Sequence, residues 1–277
     1  MRVPFTKMHG LGNDFVVIDC RDESLSINQD NVRSMSDRRL GIGCDQILLL
    51  VKPVKQEAAA GYKIINRDGS LAEQCGNGLR CVVHYLKMKD EIKINTIVEV
   101  DDRLVQACVC EDGQIAVQMP TPDFSLEAMS LSVQTQGKYY NQELTGKDIQ
   151  FGAVSMGNPH AVIKTLSVDD AQVSKIGAAL QSSGIFLNGV NVGFMEIVSE
   201  SSINLRVYER GAGETQACGT GACAAAVVGI FWGDLAPGKI NVNLPGGFLN
   251  IEWDGTPTSD VLMTGPAQFV FEGVIDL

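Results

Sequence analysis

The sequence predicts an α+β fold built from two copies of one unit. Three observations lead there: an internal repeat, an excess of short strand-like runs over helical ones, and hairpin-type turns at Asp112-Gly113 and Gly246-Gly247. Leu11-Gly12-Asn13 followed by Phe15-Val16-Val17-Ile18 is echoed by Met156-Gly157-Asn158 followed by His160-Ala161-Val162-Ile163, an offset of 145 residues. Gln46 falls on Asn191 at the same offset. Tyr62 to Arg67 is echoed by Leu205 to Arg210 at an offset of 143, which carries Cys75-Gly76-Asn77-Gly78 onto Cys218-Gly219-Thr220-Gly221. Chance explains such an ordered series poorly.

Within the first copy, alternating or apolar runs predict strands at Phe15–Asp19, Ile47–Val51, Lys63–Asn66 and Ile92–Val100, and at Val105–Cys110 turning into Gln114–Met119. A helix is expected from Asn28 to Leu40, stopped by Gly41, and a second from Asn77 to Met88 with Leu79, Val82, Val83 and Leu86 on one face. The second copy repeats these helices at Asp169–Ser182 and Thr220–Trp232. Each copy then reads as a curled, mostly antiparallel sheet around a central helix. The expected domains are 1–120, with a C-terminal strand 266–277 returning to it, and 121–265, meeting near Pro120-Thr121-Pro122. The active site is expected in the cleft between the two pseudo-symmetric domains.

Bulk composition narrows the function. A net charge of −11 lacks the basic footprint of a nucleic-acid binder. The longest apolar run, Ala222 to Trp232, is too short to span a bilayer, and Met1-Arg2-Val3-Pro4-Phe5 shows no charged-then-apolar signal, so a cytoplasmic protein is expected. Eight cysteines without a secretory signal read as thiols rather than as a disulfide framework. No pair has Cys-x-x-Cys spacing, and no metal site is expected. Cys20, Cys44, Cys81, Cys108, Cys110 and Cys223 read as buried small hydrophobes.

Cys75 and Cys218 differ, because each opens a Cys-Gly-x-Gly element at the start of an apolar helix. A helix N-terminus exposes unpaired N–H groups and the positive end of its dipole, so a thiol there should ionise below its free value of ~8.5. The same N–H groups can hold a carboxylate. Two such sites related by duplication suit inversion of a stereocentre, in which one thiolate removes a proton and a thiol on the opposite face delivers another. The carbanion that develops needs stabilisation by those backbone donors. No cofactor fingerprint appears, although a Schiff-base lysine stays open from the sequence alone. Asn13, Gln46, Asn66, Asn158 and Asn191 can both donate and accept, Arg210 can grip a carboxylate, and Glu209 can accept from an ammonium group.

Gly10-Leu11-Gly12-Asn13-Asp14-Phe15, Asp68-Gly69-Ser70 with Glu73-Gln74-Cys75-Gly76-Asn77-Gly78, Met156-Gly157-Asn158-Pro159-His160 and the run Glu209 to Gly221 together resemble the diaminopimelate epimerase family, and Gly265-Pro266-Ala267 resembles its closing strand. The resemblance implies interconversion of LL- and meso-diaminopimelate, a step toward lysine and peptidoglycan, by two cysteines with no cofactor and in a homodimer. It assigns Cys75 and Cys218 as the acid/base pair and the backbone of Gly76-Asn77 and Gly219-Thr220 as the holder of the reacting carboxylate. Asn13, Gln46, Asn66, Asn158, Asn191, Glu209 and Arg210 would read the rest of the substrate, with His160 and Glu209 tuning the thiols. The sequence departs from the family pattern at Cys44, Arg67, Leu79 and Phe271, the last standing where a tyrosine is linked to the dimer contact. The competing readings are a proline or hydroxyproline racemase, a thiol redox protein and a non-catalytic binder of the same fold.

Overall fold

The computed structural model describes residues 2–22, 25, 27–72 and 76–277. The chain divides into two compact units, Met1–Gln118 with Thr264–Leu277, and Met119–Met263.

In the first unit, β1 (Arg2–Gly10) and β2 (Asn13–Asp19) form a hairpin closed by Leu11 and Gly12, both at positive φ (55° and 85°). Two left-handed residues in a two-residue loop match the twist of the strands they join. The loop therefore delivers Asn13 as the first residue of β2. Helix α1 (Gln29–Ser36) makes a crossover to β3 (Gln46–Val51), which runs parallel to β2, and β4 (Ala60–Asn66) returns antiparallel to β3. Helix α2 (Gly76–Met88) crosses to β5 (Asn95–Val100), parallel to β4, and the meander continues antiparallel through β6 (Arg103–Val109) and β7 (Ile115–Met119). Leu79, Val82, Val83 and Leu86 are fully buried where α2 packs on β1, β2, β3 and β6.

The second unit opens with the hairpin β8 (Tyr140–Leu144) and β9 (Lys147–Ser155), and β9 pairs antiparallel with β10 (Pro159–Lys164). From there the first unit's order recurs. Helix α3 (Val173–Ser182) crosses to β11 (Asn191–Ser199), parallel to β10, and β12 (Ser202–Glu209) returns antiparallel. A short β13 (Gly213–Thr215) folds back on β12, and helix α4 (Gly219–Trp232) crosses to β14 (Gly238–Leu244), parallel to β12. Then come β15 (Gly247–Trp253), antiparallel to β14, and β16 (Val261–Gly265). The last strand, β17 (Gln268–Asp276), pairs antiparallel with β1 in the first unit.

The repeat survives to the level of register: Phe15 pairs with Gln46, and His160 pairs with Asn191. Each unit is a mostly antiparallel sheet curled around one helix, as the sequence predicts. Helix α4 is apolar on every side, and all of Gly219 to Ile230 is buried against β9, β10, β11, β12, β14 and β15. Close approach depends on Gly152, where a Cβ would come within 2.7 Å of Val228 and Trp232.

Several boundaries differ from expectation. Helix α1 stops at Ser36 rather than Leu40, because the Asp37 carboxylate accepts from the backbone N–H groups of Arg39 and Leu40 and turns the chain. Helix α3 starts at Val173 rather than Asp169; the preceding residues are held by tertiary contacts, Val168 N–H to Glu196 and Arg206 to the Val168 carbonyl. The strand expected from Ile92 begins at Asn95. Cys44, Cys81 and Cys223 are buried as expected, but Cys20, Cys108 and Cys110 are only partly covered, because they sit at or just beyond strand ends. No helix among the described residues is long and apolar enough to cross a membrane.

Candidate active site

Strand polarity gathers the expected polar residues at one end of each sheet. Since β2 and β3 are parallel and β4 is antiparallel, the start of β2 (Asn13), the start of β3 (Gln46) and the end of β4 (Asn66) share an edge. Gln46 donates from Nε2 to Asn66 Oδ1 at 2.9 Å, and Asn66 donates from Nδ2 to Ser70 Oγ at 3.0 Å. Asn77, in the first turn of α2 and buried, donates to Asn13 Oδ1 at 3.2 Å. Gly76 is the first residue of that helix. Cys75, the residue before it, lies outside the described residues, as do Glu73 and Gln74 of the same motif.

The second unit repeats the arrangement with different chemistry. Asn191 opens β11, and Glu209 closes β12. Asn191 Oδ1 accepts from the backbone N–H of Arg210 at 2.9 Å, which fixes the turn after Glu209. Arg210 donates from Nη1 to the Asn188 carbonyl at 2.8 Å. Gly189 (φ 73°) lets this side chain pass, since a Cβ there would lie 2.8 Å from Arg210 Cδ. His160, in β10 and 1% exposed, donates from Nε2 to Asn158 Oδ1 at 2.9 Å. Burial, with the charge of Arg210 as the second cause, pushes the His160 imidazole down to about 3, so it is neutral around pH 7.

Cys218 caps α4 with an extended backbone, and its Sγ accepts from the Gly221 N–H at 3.3 Å. Thr220 Oγ1 lies 3.7 Å from the sulfur. The sequence expectation of a lowered thiol pKa fails here. Burial, reinforced by the charge of Glu209, pushes the Cys218 thiol well above its ordinary value; the contacts with Thr220 and Gly221 oppose this without cancelling it. Glu209 is itself held by a short hydrogen bond from Thr215 Oγ1.

Sequence reasoning missed three contributors. Thr215 lies inside the long motif, six residues after Glu209, and its hydroxyl was the available signal. Arg80 is a fully buried cation three residues after Asn77, on the same side of α2. Asp45 precedes Gln46 and accepts from Asn13 Nδ2 at 3.3 Å. Asp45 also accepts from Arg38, which with Lys7 grips Asp14, tying residues 37–45 to the β1–β2 hairpin.

Comparison with known proteins follows the same two-part division. The family model for diaminopimelate epimerase matches residues 5–125 and 152–270. The chain is 45% identical over the full length of both proteins to the diaminopimelate epimerases of Alkalilimnicola ehrlichii and Nitrosomonas europaea. Among solved structures, a hydroxyproline epimerase from Agrobacterium vitis superposes with a TM-score of 0.73 at 17% identity, covering 99% of this chain and 91% of that one. A phenazine biosynthesis protein of the PhzF family from Bacillus anthracis superposes with a TM-score of 0.70 at 13% identity, covering 100% of both chains. At these identities the structural likeness establishes the fold.

Proposed function

The chain belongs to the diaminopimelate epimerase family, and from that premise we propose that it interconverts LL- and meso-diaminopimelate by passing the α-proton between Cys75 and Cys218, without a cofactor. It is by family an isomerase of the racemase and epimerase class. The observation that carries the mechanism is the placement of Cys218, which caps helix α4 with its Sγ accepting from the Gly221 N–H at 3.3 Å, at the position the repeat pairs with Cys75. Cys218 is a buried thiol at a helix N-terminus whose proton is held by burial and by the neighbouring charge of Glu209. A two-base inversion needs one partner protonated at the outset, and Cys218 fits the proton donor.

In that reaction the Cys75 thiolate takes the α-proton, leaving a carbanion delocalised into the carboxylate, and the Cys218 thiol protonates the opposite face. The thiol and thiolate exchange places, so the reverse reaction starts from the product state. The N–H groups of Gly76-Asn77 and Gly219-Thr220 would hold the reacting carboxylate, where negative charge grows. Asn13, Gln46, Asn66, Asn158, Asn191, Glu209 and Arg210 would read the remaining ammonium and carboxylate groups. His160 would act on this site as a neutral hydrogen-bonding group, and Glu209 through its charge. The half-exposed Phe269, Val270, Phe271 and Val274 of β17 support a homodimer. A reducing cytoplasm would keep both thiols competent.

Proton NMR of LL-diaminopimelate in D2O tests the proposal. With the reduced protein, deuterium enters the α-position as the meso isomer appears, and Cys218→Ala abolishes both changes while the fold persists. Exchange with proline or hydroxyproline alone would keep the chemistry and replace the substrate. Inversion by Cys218→Ala at the wild-type rate would end the two-base account.

A further inference from the structure

A chain of four side chains in the first unit has ends of fixed polarity. Arg80 donates from Nη2 to Asn77 Oδ1 at 2.8 Å, Asn77 donates from Nδ2 to Asn13 Oδ1 at 3.2 Å, and Asn13 donates from Nδ2 to Asp45 Oδ2 at 3.3 Å. A guanidinium can only donate, and a carboxylate can only accept. A side-chain amide alone can turn over and exchange its oxygen for its nitrogen. Here a turned Asn77 would set an NH2 against the guanidinium, and a turned Asn13 would set a carbonyl against the carboxylate. Both ends demand the same direction, so the two amides share one arrangement.

The ends are themselves anchored. Arg80 donates from Nε to the Pro266 carbonyl at 3.2 Å and from Nη1 to the Gly76 carbonyl at 3.4 Å. Asp45 accepts from Arg38 at 2.8 Å and from the Asp14 N–H at 3.2 Å. Gly10 makes room, since a Cβ there would lie 3.2 Å from Arg80 Nη2 and 3.4 Å from Asn77 Cβ. The corresponding helix of the second unit forms without such a chain. The repeat places Cys223 at the position of Arg80 and Thr220 at that of Asn77, and α4 is formed and buried all the same.

We propose that Arg80 and Asp45 are positioning residues that set the direction of the Asn77 and Asn13 amides and so fix what Asn13 offers the substrate. The inference rests on the substrate reading above and adds residues that a contact list for the substrate would omit.

Asp45→Asn is the decisive variant, because it keeps the shape, removes the acceptor-only end and alters a side chain that is 42% exposed. KM for LL-diaminopimelate should rise about tenfold, the loss of one charge-assisted hydrogen bond's worth of orientation, while kcat changes by less than about twofold. Thermal midpoints should barely move. Without substrate, the side-chain NH2 resonances of Asn13 and Asn77, assigned by substitution, should both shift. Arg80→Lys, which keeps a donor-only end, should retain more affinity than Arg80→Gln; if the buried Gln variant fails to fold, Asp45→Asn decides. An unchanged KM with unchanged amide resonances overturns the proposal, as does a fall in kcat that merely tracks lost folded protein. The resonances are read on the free protein, so a wild type inactive on diaminopimelate would sink the substrate reading and leave the amide lock separately tested.

Discussion

Replacing Asp14 with asparagine removes the centre of the cluster that ties residues 37–45 to the first hairpin. Asp14 accepts from Lys7 Nζ at 2.5 Å and from Arg38 at 2.7 and 3.0 Å. Burial pushes its carboxyl up, but the hydrogen bonds from Arg38 and Lys7 and the charge of Lys7 outweigh that and hold it at about 2, against an ordinary 3.8. The Asp14 side chain is only 16% exposed, so the difference converts to about 2 kcal/mol of folding free energy at neutral pH. Asparagine also strands the Lys7 ammonium, 9% exposed, at a cost that reaches about 3–5 kcal/mol when no partner remains. Lys7 keeps the Gly43 carbonyl, and Arg38, 52% exposed, adds little. The net expectation is a loss of about 3 kcal/mol at pH 7.

The sign of the pH dependence follows from a folded-state pKa below the unfolded one. The stabilisation is fully present above about pH 4 and is lost as pH falls through about 2, so wild type and variant converge in acid. Urea unfolding of both proteins between pH 7 and pH 2.5 measures this. Far-UV circular dichroism reports both units, whereas both tryptophans, Trp232 and Trp253, lie in the second. A circular-dichroism transition that moves while the fluorescence transition stays would localise the damage to the first unit. A loss under about 1 kcal/mol at pH 7, or a difference constant across the range, would refute the account of Asp14 as a buried, paired carboxylate.

Thr215→Val should lower kcat by roughly tenfold, the order of one hydrogen bond that steadies Glu209 beside Cys218, with Thr215→Ser restoring most of it; equal activity of the two variants would show that the hydroxyl is idle. His160 should give the nitrogen shifts of a neutral, Nε2-protonated imidazole from pH 5 to pH 9, since burial holds its pKa at about 3. By linkage, that burial costs stability as pH falls below the unfolded value of ~6.5. An imidazolium signal with a midpoint above about 5.5 would contradict the buried environment.

Much of the molecule is legible in the sequence because the repeat is written in residues that the backbone needs. Leu11-Gly12-Asn13 is a two-residue hairpin loop that delivers an amide to a strand start, and its echo at Met156-Gly157-Asn158 does a similar job with Gly157 at positive φ. The offset of 145 residues carried the Phe15–Gln46 pairing onto His160–Asn191 without error. What stayed hidden depended on the third dimension. The hairpin of β8 and β9 was not anticipated, because its polar first half has no apolar alternation and the strands close on Thr145 (φ 53°) and Gly146 (φ 76°). The direction of the Cys218 shift was misjudged because a helix N-terminus is visible in sequence, whereas complete burial beside Glu209 is not. Arg80 escaped notice for a similar reason: one cation on a helix face reads as a surface charge until the strand of residues 268–276 and Pro266 are seen beside it.

Helix α4 has no solvent face, and its residues Gly221, Ala222, Ala224, Ala225, Ala226 and Gly229 are small and buried. A rod clamped on all sides cannot slide or pivot without opening voids in the surrounding core, which a close-packed interior resists. The sulfur at its tip therefore inherits the core's small thermal amplitude rather than that of a surface loop. The loops bearing Asn158 and Arg210 carry no such clamp, so any movement around the Cys218 sulfur falls to them rather than to the helix.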